Sequence, residues 1–327
     1  MLHVESCASP PEFTDTYFAV NHASWRIHQI GTVRLSELDK RGATAMNAPN
    51  DQLHSEVEAR RIQIAREMFL DTADMNYTGA RSAFLECRDY DFWWLSLHAV
   101  EKYLKAALLV NGASIKGASH DIEELLHRLK LLDRRLQPPP FIRPKIAGRP
   151  RIFELADDGF IRNLNVIGSA TNRYAAYSYV ISPVDLHRVD HLVFWARRHA
   201  RPLRQKLAGR DLDWIAELYG SPQVWRHHYG APLEKLVDSP KGMSARRALV
   251  KANVAFFPDH RHRPIPRRAL AHNGILFRHI QMFKDSSPGE DRHRVAKDVL
   301  LWALQEIPLP KNEVRHIQKI LAEGEGL

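Results

Sequence analysis

The sequence has few cysteines and no long apolar run, and each absence excludes a class of protein. Only Cys7 and Cys87 occur among the 327 residues. Two cysteines are too few for a disulfide framework or a cysteine-based zinc site, and they favour a reducing, cytoplasmic compartment. No stretch approaches the ~20 consecutive apolar residues of a membrane span, so we expect no membrane contact. A basic run followed by an apolar core, as in a secretory signal, is also missing.

Sequence motifs of common catalytic sites are absent as well. The chain has no Gly-rich phosphate loop, no nucleophile elbow and no paired catalytic acids. Two histidine pairs, His227-His228 and His260-x-His262, lack a third ligand at a suitable spacing. We therefore expect no metal site and no cofactor.

Basic residues are in excess and are unevenly distributed. Lys and Arg number 47 against 38 Asp and Glu, which gives a net charge of +9 and a pI near 9.6. Two stretches, 134–151 and 197–210, are rich in Arg and Lys and contain no acidic residue. Clustered cations of this kind are what phosphate binding requires. The stretches are either nucleic-acid contacts or ordinary solvated loops.

Apolar residues spaced three and four apart predict helices through most of the chain. The fold class we predict is all-α, an up-and-down helical bundle over 52–207 followed by a second, smaller helical domain over 211–327. Residues 1–51 are predicted to be a flexible extension, unless Met46 is the true start. Strand-type alternation is nowhere sustained. Within these regions, helices are expected over 53–86, 89–110, 122–132, 160–179, from Ser182-Pro183 onward, 214–219, 244–257, 269–283, 295–304 and from Asn312.

Three short motifs in the predicted bundle resemble the HEPN domain, a small helical bundle common in prokaryotes. Residues 97–106 (LHAVEKYLKA) are similar to the family's Gln-Ala-x-Glu-Lys-x-Leu-Lys helix, with His98 in place of Gln. Residues 120–125 (HDIEEL) are similar to its His-x-Leu/Ile-x-x-Leu helix start. Residues 172–174 (NRY) are similar to its Arg-Tyr-Pro element, although Ala175 stands where Pro is common. The resemblance covers roughly residues 60–205.

The resemblance implies two kinds of function. Many HEPN proteins are metal-independent ribonucleases whose site is an Arg, four to six residues, then a His, with two copies meeting at a dimer interface. The His acts as general acid or base, and the Arg holds the scissile phosphate. Others lack this pair and resemble non-catalytic partners of small nucleotidyltransferases, or nucleotide-binding modules. The resemblance therefore also implies a homodimer.

Only one Arg–His pair in the sequence has the required spacing, Arg267 and His272, and it lies outside the HEPN-like region. Residues 267–273 (RRALAHN) look like the Arg-Asn-x-x-Ala-His-Asn run of some abortive-infection relatives of the family. Arg267 and His272 are therefore the catalytic candidates if the protein is an enzyme.

Candidate nucleotide- or phosphate-binding residues lie within the predicted bundle. Each also has a structural interpretation. The lysines would form a solvated helix face, the histidine would cap a helix, the arginine at 173 would brace neighbouring helices, and the arginines in 197–210 would belong to a solvated loop. These candidates are Lys102, Lys105, His120, Arg173, Arg197 and Arg201.

The leading functional hypothesis is a HEPN protein that binds nucleotide or RNA as an accessory component of a toxin–antitoxin or defence module. A nucleotidyltransferase-like protein is the partner that the resemblance implies. The first alternative is a metal-independent ribonuclease that uses Arg267 and His272. The second is a structural interaction protein without nucleic-acid contact.

Overall fold

The structure is a computed structural model that describes residues 48–148, 155–172, 175–207, 210–221, 226 and 228–324, with side chains from residue 56 onward except at 205–207 and 210. The chain divides into two compact units, Met1–Glu58 and Ala59–Leu327. Apart from the first turns of α1, the described residues belong to the second unit. Most of the predicted extension 1–51 lies outside the described residues, and so does Arg173.

The first part of the chain is helical, as predicted. Helix α1 spans Ala48–Ala65, a π-helical turn follows at Arg66–Leu70, and α2 spans Asp71–Leu85. Helix α3 spans Asp89–Val110 and is the central element, since one of its faces is buried along its whole length. Its apolar residues recur every three or four positions, so one stripe of the helix packs inward.

The next helices begin where capping chemistry allows them to. Helix α4 spans Ile122–Leu132, and the Asp121 carboxylate before it accepts hydrogen bonds from two first-turn amides. Helix α5 spans Asp157–Ile167. Helix α6 spans Pro183–His199 and opens with a capping box between Ser182 and Asp185.

The prediction of one helix over 160–179 is wrong beyond Ile167. A Cβ at Gly168 would lie 2.6 Å from the Trp93 carbonyl oxygen, so the chain approaches α3 closely there. The backbone then forms a 3₁₀ turn, Ala170–Asn172, and strand β1, Tyr179–Ile181. Close packing against α3 and pairing with a distant strand both override the local helical pattern.

Four short strands occur among the described residues. Strand β2, Arg204–Leu207, pairs antiparallel with β3, Arg210–Asp213, so part of the predicted basic stretch is a hairpin. Helices α7, Trp214–Gly220, α8, Pro232–Asp238, and α9, Ser244–Val250, come next. Strand β4, Leu270–His272, pairs antiparallel with β1. The helix predicted over 269–283 is therefore wrong in its first part.

The chain ends in three helices, α10 at Phe277–Lys284, α11 at Asp291–Glu306 and α12 at Lys311–Gly324. Their apolar faces form a hydrophobic cluster within residues 276–321. The main core runs from Leu70 to Ile265 and takes residues from both sides of the boundary predicted near residue 210. With four strands of three or four residues each among mostly helical elements, the predicted all-α class is confirmed. In the described part of the chain, no helix is long and apolar enough to cross a membrane.

Candidate functional site

A buried carboxylate at the start of α3 joins the two residues singled out by their spacing. Asp89 accepts a hydrogen bond from Arg267 Nη2 on one oxygen and a hydrogen bond from His272 Nε2 on the other, at 2.7 Å. The Asp89 side chain is only 3% exposed. The pair therefore meets on a third residue, although 183 positions separate Asp89 from His272.

His272 is oriented by its surroundings but remains accessible. Its side chain is 30% exposed, and its ring stacks on Tyr179, with the ring centroids 4.8 Å apart and the planes at 23°. The edge of Tyr90 approaches it with the ring centroids 6.0 Å apart. Because a carboxylate accepts hydrogen bonds, we assign the proton to Nε2, which leaves Nδ1 as the nitrogen that can accept a proton. This is the arrangement of an acid–base histidine with an orienting carboxylate.

Arg267 has a different environment. Its side chain is 6% exposed, its Nη1 donates to the Phe84 carbonyl oxygen at 2.8 Å, and its guanidinium lies 4.5 Å from the centroid of the Phe84 ring. These contacts fit a residue that fixes and neutralises Asp89. They do not suit the phosphate contact predicted for Arg267, because the guanidinium already has partners and little access to solvent.

The two-stranded sheet that β1 and β4 form determines the position of His272. Tyr179 and His272 are directly paired in its register, and the Gly274 amide beyond β4 donates to Ser178 Oγ at 2.9 Å. An added Cβ at Gly274 would overlap the Ala176 carbonyl, so only glycine permits this close approach. Local backbone packing thus determines where the imidazole lies.

The segment that carries His272 also exposes several cations. The segment runs from residue 261 to residue 278, and its exposed arginines lie both before and after β4. Asn273, next to the histidine, is also exposed. Phosphodiester backbones are bound through such accessible guanidinium groups. The exposed arginines of the segment are Arg261, Arg263, Arg268 and Arg278.

A second polar cluster surrounds Glu101 on α3. The Lys105 ammonium donates to Glu101 Oε1 at 2.6 Å, His120 Nδ1 lies 3.0 Å from the same oxygen, and His98 Nδ1 lies 3.2 Å from Oε2. Burial alone would raise the pKa of Glu101. Hydrogen bonds from the two imidazoles and from Lys105 outweigh it and lower the pKa to about 2.

Two of the predicted phosphate ligands, Lys105 and His120, therefore meet on one carboxylate. Lys102, from the same helix, instead donates to Asn76 Oδ1 at 2.7 Å, and burial lowers its pKa. His120 is not the helix cap suggested by its position, since Asp121 caps α4. The lysines carry internal partners, which makes them poorer phosphate ligands than free side chains would be.

No family model, curated protein or solved structure matches this sequence. The HEPN assignment stays a prediction that rests on residues 97–106, 120–125 and 172–174.

Arg197 lies in the core rather than on a binding surface. Its side chain is 1% exposed and donates to Asp74 at 2.8 and 3.1 Å and to Glu234 at 3.0 and 2.6 Å. The Tyr103 hydroxyl and the Leu233 amide also donate to Asp74. This position does not suit the phosphate-binding role predicted for Arg197, because both faces of the guanidinium fork are paired in the interior.

Arg201 is partly buried, with its guanidinium 3.8 Å from the centroid of the Trp214 ring. Burial lowers its pKa. In the other basic stretch, Arg135 forms ion pairs with Asp133 and Asp213, each at 2.7 Å. Acidic residues from outside the stretch thus neutralise part of a charge that looked unopposed in the sequence.

Asp89 is the residue of this candidate site that sequence reasoning missed. Its position predicts only the start of a helix, and nothing nearby in the sequence marks it as a partner of His272. A buried acid before an aromatic run, Asp89-Tyr90-Asp91-Phe92-Trp93, is the one available signal, and it is equally typical of a helix N-terminus.

Proposed function

We propose that this protein is a metal-independent endoribonuclease in which His272 is the acid–base group and Asp89 orients it. The observation that carries the proposal is the contact of His272 Nε2 with the buried Asp89 carboxylate, with the ring still partly exposed. A carboxylate in this place sets the tautomer and stabilises the imidazolium that forms during proton transfer.

RNA is the substrate class that fits a site of this composition. The ribose 2′-hydroxyl is an internal nucleophile, so a base alone can start cleavage of the chain. His272 Nδ1 takes the 2′ proton, the 2′ oxygen attacks phosphorus, and the bond from phosphorus to the 5′ oxygen breaks. The 5′ oxygen takes a proton from solvent, which leaves a 2′,3′-cyclic phosphate and a 5′-hydroxyl end.

In this proposal Arg267 positions Asp89 and does not contact the RNA. By neutralising Asp89 it keeps that carboxylate buried, and by donating to the Phe84 carbonyl oxygen it ties the end of α2 to the segment before β4. Phosphate contacts would come from the exposed arginines at 261, 263, 268 and 278.

RNA binding without cleavage, in an accessory role, is the second candidate. It is favoured by the burial of Arg267, whose guanidinium is paired with Asp89 and with the Phe84 carbonyl oxygen and is therefore poorly placed to hold a scissile phosphate. The nucleotidyltransferase-like partner and the defence setting that the HEPN resemblance implies belong to this candidate, whereas the implied homodimer is common to both candidates. Light scattering on the purified chain tests the dimer directly.

One experiment separates the two candidates. The purified chain is incubated with tRNA and total RNA in EDTA, alongside His272→Ala and the control His191→Ala. His191 is a matched control because its Nε2 also has a single described hydrogen bond, to the Pro139 carbonyl oxygen at 2.9 Å. We expect cleavage with cyclic phosphate ends for the wild type and His191→Ala, and a loss of at least ~100-fold for His272→Ala.

Cleavage that survives in His272→Ala, or that requires a metal ion, would refute the assignment. RNA binding that weakens with salt but yields no cleavage would establish the accessory role in its place.

A further inference from the structure

The cluster around Glu101 has a composition that the proposed ribonuclease does not use. Two imidazoles and one carboxylate converge, and the ligand atoms of His98, Glu101 and His120 all lie within 4.8 Å of one another. Asp89 and Glu101 are twelve residues apart on α3, about 18 Å at the helical rise per residue, so this cluster is separate from the acid–base site.

We propose that His98, Glu101 and His120 form a binding site for a divalent transition metal ion of the Zn²⁺ class. Imidazole and carboxylate are ligands that suit Zn²⁺, and three protein ligands leave a fourth position for water. The sequence does not predict this site, because the ligands are spaced by three residues and then by nineteen, which matches no common metal motif.

Each imidazole nitrogen already lies near the tetrahedral separation from one of the two Glu101 oxygens. With metal–ligand bonds of about 2.0–2.1 Å, tetrahedral ligand atoms lie about 3.3 Å apart. His98 Nδ1 is 3.2 Å from Glu101 Oε2, and His120 Nδ1 is 3.0 Å from Glu101 Oε1. With one ligand atom from each residue, all three atoms lie within 4.8 Å of one another, so the set has to contract by at most about 1.5 Å to reach the tetrahedral separation.

Two of the three ligands are held rigidly by α3, and the third is exposed and can move. Glu101 is 5% exposed, and His98, one turn earlier on α3, packs against the Trp94 ring with the centroids 4.2 Å apart. These two are held by the helix. His120 is 77% exposed and precedes α4, so it can adjust to an ion and leaves the fourth position open to solvent.

Lys105 competes with the metal ion for the Glu101 carboxylate, and this competition gives a second prediction. Its ammonium lies 2.6 Å from Glu101 Oε1 and neutralises the carboxylate that the metal would use. Lys105→Met should therefore bind metal more tightly than the wild type, because a competing positive charge is removed.

The test is titration of the full chain with Zn²⁺ by calorimetry, and with Co²⁺ by visible absorption. His120→Ala is the main variant, since an exposed side chain can be removed without disturbing the fold. His127→Ala, an exposed histidine on α4, is the matched control. We expect one ion per wild-type chain, at least tenfold weaker binding for His120→Ala, unchanged binding for His127→Ala and tighter binding for Lys105→Met.

A third readout locates the ion. Ni²⁺ or Cu²⁺ bound to His98 should quench the fluorescence of Trp94, and comparison with Trp94→Phe isolates that signal from the other tryptophans. Equal affinity in the wild type and His120→Ala, or quenching that is the same in Trp94→Phe, would overturn the proposal. Neither result would bear on RNA cleavage in EDTA, so the metal site and the ribonuclease can fail separately.

Discussion

Replacing Arg197 with methionine should lower the free energy of unfolding, because the buried carboxylates of Asp74 and Glu234 would lose the cation that they share. Asp74 from α2 and Glu234 from α8 both accept hydrogen bonds from Arg197 of α6, and the Asp74 and Arg197 side chains are at most 1% exposed. Burial alone would lower the pKa of Arg197, but the ion pairs with Asp74 and Glu234 outweigh it and hold that pKa above its usual range. Methionine fills a similar volume but supplies no charge and no donor.

The expected loss is large, because the remaining groups are charged and lie in the interior. Removal of one partner of a buried ion pair costs about 3–5 kcal/mol. For a domain of this size, each kcal/mol corresponds to about 2–4 °C in melting temperature, so a drop of roughly 6–20 °C should result. Protonation relieves a buried carboxylate that lacks a cation. The folded variant should therefore take up protons that its unfolded chain does not, and the deficit should shrink as pH falls from 8 to 5.

The assay is urea unfolding followed by circular dichroism at several pH values, with Arg198→Met as control. Arg198 is also buried but donates to the carbonyl oxygens of Leu218 and Ser221. Its loss should destabilise the fold with little dependence on pH. A deficit below about 1 kcal/mol for Arg197→Met, or one that grows on acidification, would refute the reasoning.

Three further substitutions test the fold and the site. Gly274→Ala should cost about 1–3 kcal/mol in urea unfolding and reduce any RNA cleavage, because a methyl group would push β4 away from the Ala176 carbonyl. Asp121→Ala should cost about 1 kcal/mol, measured by thermal unfolding, through loss of the α4 cap. Burial lowers the pKa of His199 from 6.5 to about 4, so this group should remove about 3 kcal/mol of stability as pH falls from 6.5 to 4, and His199→Gln should lose about 3 kcal/mol less than the wild type over that range.

Local sequence patterns predicted the elements whose causes are themselves local. The Ser182-Pro183 helix start and the buried stripe of α3 depend on side chains within a few residues of each other. Helical periodicity likewise indicated the all-α class. Such features arise from propensity and capping, which act over one or two turns.

The errors occur where distant segments meet. Residues 270–272 look helical alone but pair with β1 as a strand. The charge of Arg197 looked like surface charge because its acidic partners are 123 and 37 positions away. Asp89 was missed for the same reason. Tertiary contacts of this kind leave no periodic trace in the sequence.

The long separation between Asp89 and His272 also has a consequence for synthesis. A ribosome adding about 5–20 residues per second needs roughly 10–40 s to pass from one residue to the other. During that interval α3 can form, yet its carboxylate has neither of its partners from the segment at 267–272. The contact between Asp89 and His272 can therefore form only after residue 272 has been synthesised, so under the proposed function a nascent chain that ends before this residue would not cleave the RNA around it.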